Sequence, residues 1–196
     1  MLRLAERFYL LMMILPLIIC AGCGDTLAKR KVAADEVQAL ILDAKDHLKA
    51  ETAVARLLQI AQSQYSFGAT LAAGAFGKIG EAARPAVPVL ARLMTSKDKF
   101  VASAAARSLA ELGPISEAAI PQLEDRIHHE YEWDVVWHAA EALGNIGRPA
   151  IGSLPLLRER LAECDEDSRR RGGERSDGEI LPKRLREAIK KLEAYE

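Results

Sequence analysis

Between residues 66 and 162 the apolar positions fall at helical spacing and in a pattern that returns. Ala72-Ala73-x-x-Phe76-x-x-Ile79-Gly80 recurs as Ala105-Ala106-x-x-Leu109-x-x-Leu112-Gly113, and again as Ala139-Ala140-x-x-Leu143-x-x-Ile146-Gly147. Ala72, Ala105 and Ala139 mark steps of 33 and 34 residues. The second half of each unit keeps the same register through Pro88, Pro121 and Pro155. Leu90, Leu123 and Leu157 follow, then Met94, Ile127 and Leu161. A period of this length, held over many columns, is the mark of a repeated supersecondary unit.

Each column has a physical role. Paired alanines let a neighbouring helix approach closely. Phe76, Leu109 and Leu143, with Ile79, Leu112 and Ile146 three residues on, form one apolar helical face. Gly80, Gly113 and Gly147 stand just past that face, where a helix end favours a residue tolerant of positive φ. The prolines fit the first turn of a following helix, where a missing N–H costs nothing. The unit is therefore predicted to be helix, short turn, helix.

The flanks extend this stack. Residues 32–62 lack Gly and Pro, and Ala55 and Leu57 fall one period before Pro88 and Leu90, which predicts a degenerate first helix pair. Residues 163–178 are charged and contain Arg169-Arg170-Arg171-Gly172-Gly173, which reads as a solvated loop. A final helix is predicted over 179–195, with Leu185, Ile189 and Leu192 on one face. It serves either as the C-terminal cap or as a partner-binding helix. The fold class expected is all-α: an α-solenoid of stacked antiparallel helix pairs with capping helices at both ends.

The first 31 residues stand outside that pattern. Arg3 and Arg7 precede an uncharged apolar run over residues 8–20, interrupted by Pro16. Thirteen residues are too few for a settled transmembrane helix, which needs about 20, and have the dimensions of a secretory leader. Cys20-Ala21-Gly22-Cys23 resembles the lipobox of bacterial lipoproteins, with Cys20 where that motif usually has Leu. The resemblance implies a leader over 1–22, a lipid thioether on Cys23, a tether over 23–31 and an extracytoplasmic, membrane-anchored location in a bacterial envelope. An uncleaved signal anchor, or cleavage near Ala21, are the alternatives. Cys164 would then be the sole thiol of the processed chain.

The repeat itself resembles the HEAT-like family, in particular the short bacterial variety named after phycobilisome lyases. Ala139-Ala140-Glu141-Ala142-Leu143-Gly144-Asn145-Ile146-Gly147 carries the first-helix motif. Ala86-Val87-Pro88-Val89-Leu90 and Ala119-Ile120-Pro121-Gln122-Leu123 carry the second. The resemblance implies an interaction scaffold. It also brings to mind deoxyhypusine hydroxylase, whose repeats hold metal on His-Glu pairs placed just before the paired alanines. Here those places hold Thr70-Leu71, Ser103-Ala104 and Trp137-His138, and the His-Glu step His129-Glu130 falls between repeats. No metal, cofactor or catalytic residue is therefore expected. A phycobilin-lyase-like accessory role with a tetrapyrrole, or a purely structural envelope role, stand as rival readings.

Charge adds one exclusion. The 27 Lys plus Arg nearly balance 28 Asp plus Glu, which disfavours nucleic-acid binding by bulk charge. Exposed columns supply the candidate site. Ser66, Lys99 and Trp133 share one column and Thr70, Ser103 and Trp137 another, so both tryptophans stand where sister repeats are small or polar. Trp133 and Trp137 are the expected centre of a protein-binding patch, with Tyr131 and Glu141 at its edge, unless the C-terminal segment folds over them. Lys78 with Glu111, and Arg92 with Asp125, are expected as exposed ion pairs between repeats.

Overall fold

The computed structural model describes residues 26–46, 48–129, 132–170 and 180–196. Cys23, Tyr131 and residues 171–179 lie outside them, as does the apolar run over 8–20. Nine α-helices are present among the described residues: α1 Leu27–Ala44, α2 Ala50–Ala61, α3 Ser66–Ile79, α4 Val87–Leu93, α5 Lys99–Leu112, α6 Ile120–His129, α7 Trp133–Ile146, α8 Leu154–Arg170 and α9 Ile180–Glu193. They contain no strand.

The helices form two layers. The first helices α1, α3, α5, α7 and α9 pack side by side in one, and α2, α4, α6 and α8 back them in the other. Four antiparallel pairs are thus stacked, and α9 takes the place of the next first helix. The paired alanines of all three clear repeats are fully buried, as are Phe76, Leu109 and Leu143. Leu57, Leu90, Leu123 and Leu157 line the same core from the second layer. Leu185 and Leu192 of α9 close its end, which makes this helix the cap. The α-solenoid reading is correct.

The first helices α3, α5 and α7 each end at a glycine, with φ of +69° at Gly80, +56° at Gly113 and +78° at Gly147. Their ψ values of −130°, −125° and −135° place them away from the left-handed helical region, in the conformation of the first central residue of a type II′ turn. A side chain is strained there. The expected short turn is instead a length of 3₁₀ helix: Gly80–Ala86, Gly113–Ala119 and Arg148–Ser153. Pro88, Pro121 and Pro155 then stand at the second position of α4, α6 and α8, where no helical N–H is needed.

Three boundaries differ from expectation. α1 begins at Leu27, inside the expected tether, because the Thr26 hydroxyl accepts from the Lys29 amide at 3.3 Å and caps it. α8 continues through Arg170, eight residues into the expected loop. Its mixed charges are good helix formers spaced to support one another: Arg160 pairs with Glu163 at 2.7 Å and Arg170 with Glu166 at 2.6 Å. α9 ends at Glu193, two residues short of the expected 195.

The expected inter-repeat ion pairs are replaced by hydrogen bonds. Arg92 donates to the Gln62 side chain at 2.6 Å, while Asp125 is engaged by its neighbour Arg126. Glu111 lies over Gly77 of α3, paired with Arg107 at 3.8 Å. A run of side-chain bonds links the first layer instead. The Ser108 hydroxyl donates to the Ala73 carbonyl at 2.7 Å, the Asn145 amide to the Ala110 carbonyl at 2.9 Å, and Lys191 to Asn145 at 2.7 Å.

Candidate interaction surface

The outer face of the first-helix layer carries both columns singled out in the sequence. Trp133 and Trp137 occupy the first two turns of α7, where a spacing of four residues sets side chains one above the other. Their rings stack with centroids 5.9 Å apart and planes 9° apart. His138 stacks on Trp137 at 4.7 Å, and the Arg184 guanidinium of α9 lies 4.9 Å from the Trp137 ring centre. Trp137 is therefore half-buried, whereas Trp133 is 43% exposed. The C-terminal helix covers one indole and leaves the other open. The Trp137 Nε1 is buried and meets no acceptor among the described residues.

Glu141 stands beneath this stack, with a carboxylate oxygen 3.5 Å from His138 Nδ1. Burial pushes the His138 imidazole below its ordinary value, and Glu141 partly offsets that. Of the four expected patch residues, three are thus brought together through His138.

Aromatic residues extend along the same edge of the layer, each with a cation over it. Lys29 lies 4.3 Å from the Tyr65 ring centre, Arg30 5.3 Å from Phe67, and Lys99 5.6 Å from Phe100. Phe100 is 65% exposed. Between it and α7 a groove of about 270 Å³ is lined by Thr70 of α3, Lys99, Phe100, Ser103 and Arg107 of α5, and Asp134 of α7. The repeat columns carried a signal for this feature: Phe67, Phe100 and Asp134 form the column beside Ser66, Lys99 and Trp133. Gly74 and Gly77 of α3 leave room for Arg107 and Glu111 of α5, since a Cβ at either would press on one of those side chains.

Asp98 anchors the groove's α5 end. Its carboxylate caps the helix by accepting from the Phe100 amide at 2.9 Å and receives the Ser66 hydroxyl from the preceding repeat. The Ser66 hydroxyl, then the amides of Phe100 and Val101, hold its pKa below the usual carboxylate value. Away from this face, burial pushes the Cys164 thiol up, which makes it a poor nucleophile. Among the described residues no three His, Cys, Asp or Glu side chains gather as a ligand set. No described helix is long and apolar enough to cross a membrane.

A stack of antiparallel helix pairs with glycine-ended first helices and proline-opened second helices defines a helical repeat protein. The family described as HEAT repeats matches residues 54–143, a little under half of the chain, so over that stretch the repeats are similar to the HEAT type. The crystal structure of an engineered protein superposes with a TM-score of 0.58 at 23% identity, over 91% of this chain and 78% of its own. A second engineered protein does so with a TM-score of 0.55 at 24% identity, over 90% of this chain and 47% of its own. At such identities the likeness speaks to fold alone. No curated protein matches the chain.

Proposed function

We propose that the chain is a scaffold that holds another protein on the outer face of its first-helix layer, from a lipid anchor on Cys23 at the extracytoplasmic face of a bacterial membrane. HEAT repeats commonly mediate protein–protein contacts, and the match to that family supports the scaffold reading. One observation carries the location of the contact. Trp133 is a large aromatic held 43% exposed on a rigid helix, stacked on a second indole, in a column that is otherwise Ser66 and Lys99. Tryptophan dominates many binding interfaces because it brings a large apolar area at little conformational cost.

A photo-crosslinking side chain tests this directly in the membrane-anchored form. Placed at Trp133 it should trap one discrete partner, while the same group at Gln122, on the exposed surface of the second layer, should not. Equal labelling from both faces would refute the assignment. The anchor is tested separately. Intact mass of the membrane fraction should show an acylated N-terminal Cys23, and Cys23→Ser should abolish acyl labelling. An unmodified Cys23 in that fraction would remove the anchor from the account.

A further inference from the structure

The groove beside the tryptophans has a chemical character of its own. Phe100 supplies an apolar wall that is largely open to solvent. Lys99 forms no ion pair with a carboxylate among the described residues, and its ammonium lies 5.6 Å from the Phe100 ring centre. Arg107 is half-exposed and held by Glu111 at a loose 3.8 Å. The α5 side of the groove thus offers two cations, Lys99 beside the Phe100 ring and Arg107 two turns further along the helix. Asp134 on the α7 side is the opposing charge.

We propose that this groove binds an extended peptide segment of the partner protein, with an apolar or aromatic side chain against Phe100 and an acidic side chain between Lys99 and Arg107. The proposal rests on the scaffold reading above and names the partner's chemistry. Packed helices lie about 8–10 Å apart, and an extended chain advances about 3.3 Å per residue. Side chains three residues apart on the peptide would therefore meet successive helices, so a neighbouring apolar residue reaches Trp133 on α7. The charge pattern favours such a ligand over single-stranded nucleic acid. A phosphate at every nucleotide would be driven onto Asp134 and Glu111 as well as onto the two cations, whereas a peptide can place one carboxylate where the cations are.

The chain's two tryptophans, Trp133 and Trp137, both stand on this face, so intrinsic fluorescence reports on it. A panel of short peptides with Glu beside Phe or Leu, repeated at three-residue spacing, would be titrated into the full chain. Matching peptides with Lys for Glu and a thymidine oligonucleotide would serve as rivals. The acidic panel should shift tryptophan emission saturably. Lys99→Glu and Phe100→Ala should each weaken binding about tenfold or more without lowering the melting temperature. Lys99→Glu places an acid at the first position of α5, which the helix dipole favours, so misfolding would not explain its loss of binding. No shift, equal binding of the Lys peptides, binding indifferent to Lys99→Glu, or binding of the oligonucleotide instead would each overturn the proposal. A partner crosslinked at Trp133 and still captured by Lys99→Glu would overturn the groove alone and leave the scaffold reading standing.

Discussion

Trp133 and Trp137 are one helical turn apart, yet a substitution at each should have opposite consequences. Trp137 is clamped between Trp133, His138 and the Arg184 guanidinium, so Trp137→Ala should destabilise the fold by about 1–3 kcal/mol through lost packing at the α7–α9 contact. Trp133 has one face in water, and Trp133→Ala should cost about 0.5–1 kcal/mol. Thermal melts of the two variants check this ordering. His138 predicts a pH dependence. Burial holds its folded pKa below the ordinary 6.5, so as pH falls through that value the unfolded chain takes up a proton that the folded one resists. Its contribution is complete above about pH 6.5 and is lost as the pH drops towards the folded value. Melting temperature should therefore fall between pH 7.5 and 5, and fall less in His138→Gln. Asp98 acts in a lower window: its favourable contacts are present above the ordinary carboxylate value of 3.8 and vanish as acid protonates it. The tryptophan column was legible because sister repeats hold Ser66 and Lys99 there. The clamp was not, because Arg184 arrives from outside the repeat and no register assigns it a place.

At the scale of helices, the glycine and proline columns marked where each clear repeat's first helix ends and its second begins. What they could not give was the 3₁₀ geometry, which depends on the ψ that each glycine adopts rather than on its freedom to take positive φ. Gly113→Ala would force a Cβ into that conformation and should cost about 1–3 kcal/mol, measured by denaturant unfolding. Gly144 has a different reason. A Cβ there would stand 3.0 Å from the Ala188 backbone of α9. Gly144→Leu should push the terminal helix away and raise amide exchange in Ile180–Glu193 ahead of the rest of the chain; unchanged exchange there would contradict the close packing. The overrun of α8 to Arg170 went unread for a related reason. Charged residues mark a loop and a solvated helix alike, and only the four-residue spacing of Glu166 and Arg170 separates the two.

The whole molecule is a row of units, each burying its apolar face against its neighbours, so damage in the middle should be felt along the stack. Leu109 is fully buried in the central repeat, and Leu109→Ala should cost about 2–5 kcal/mol while far-UV circular dichroism of the folded form stays helical. The architecture could be read from the repeats because stacking makes every unit solve the same packing problem. The proposed contact face could be read only in part, because it lies where the repeats stop resembling one another. The exposed indole of Trp133 is proposed to serve binding rather than folding. The most direct measurement is a paired one on Trp133→Ala: melting temperature, and capture of the partner crosslinked at this face. The account predicts a melt within a few degrees of the unsubstituted protein and capture weakened by about 2 kcal/mol or more. Full capture by the variant, or a collapse of its melting temperature, would contradict it.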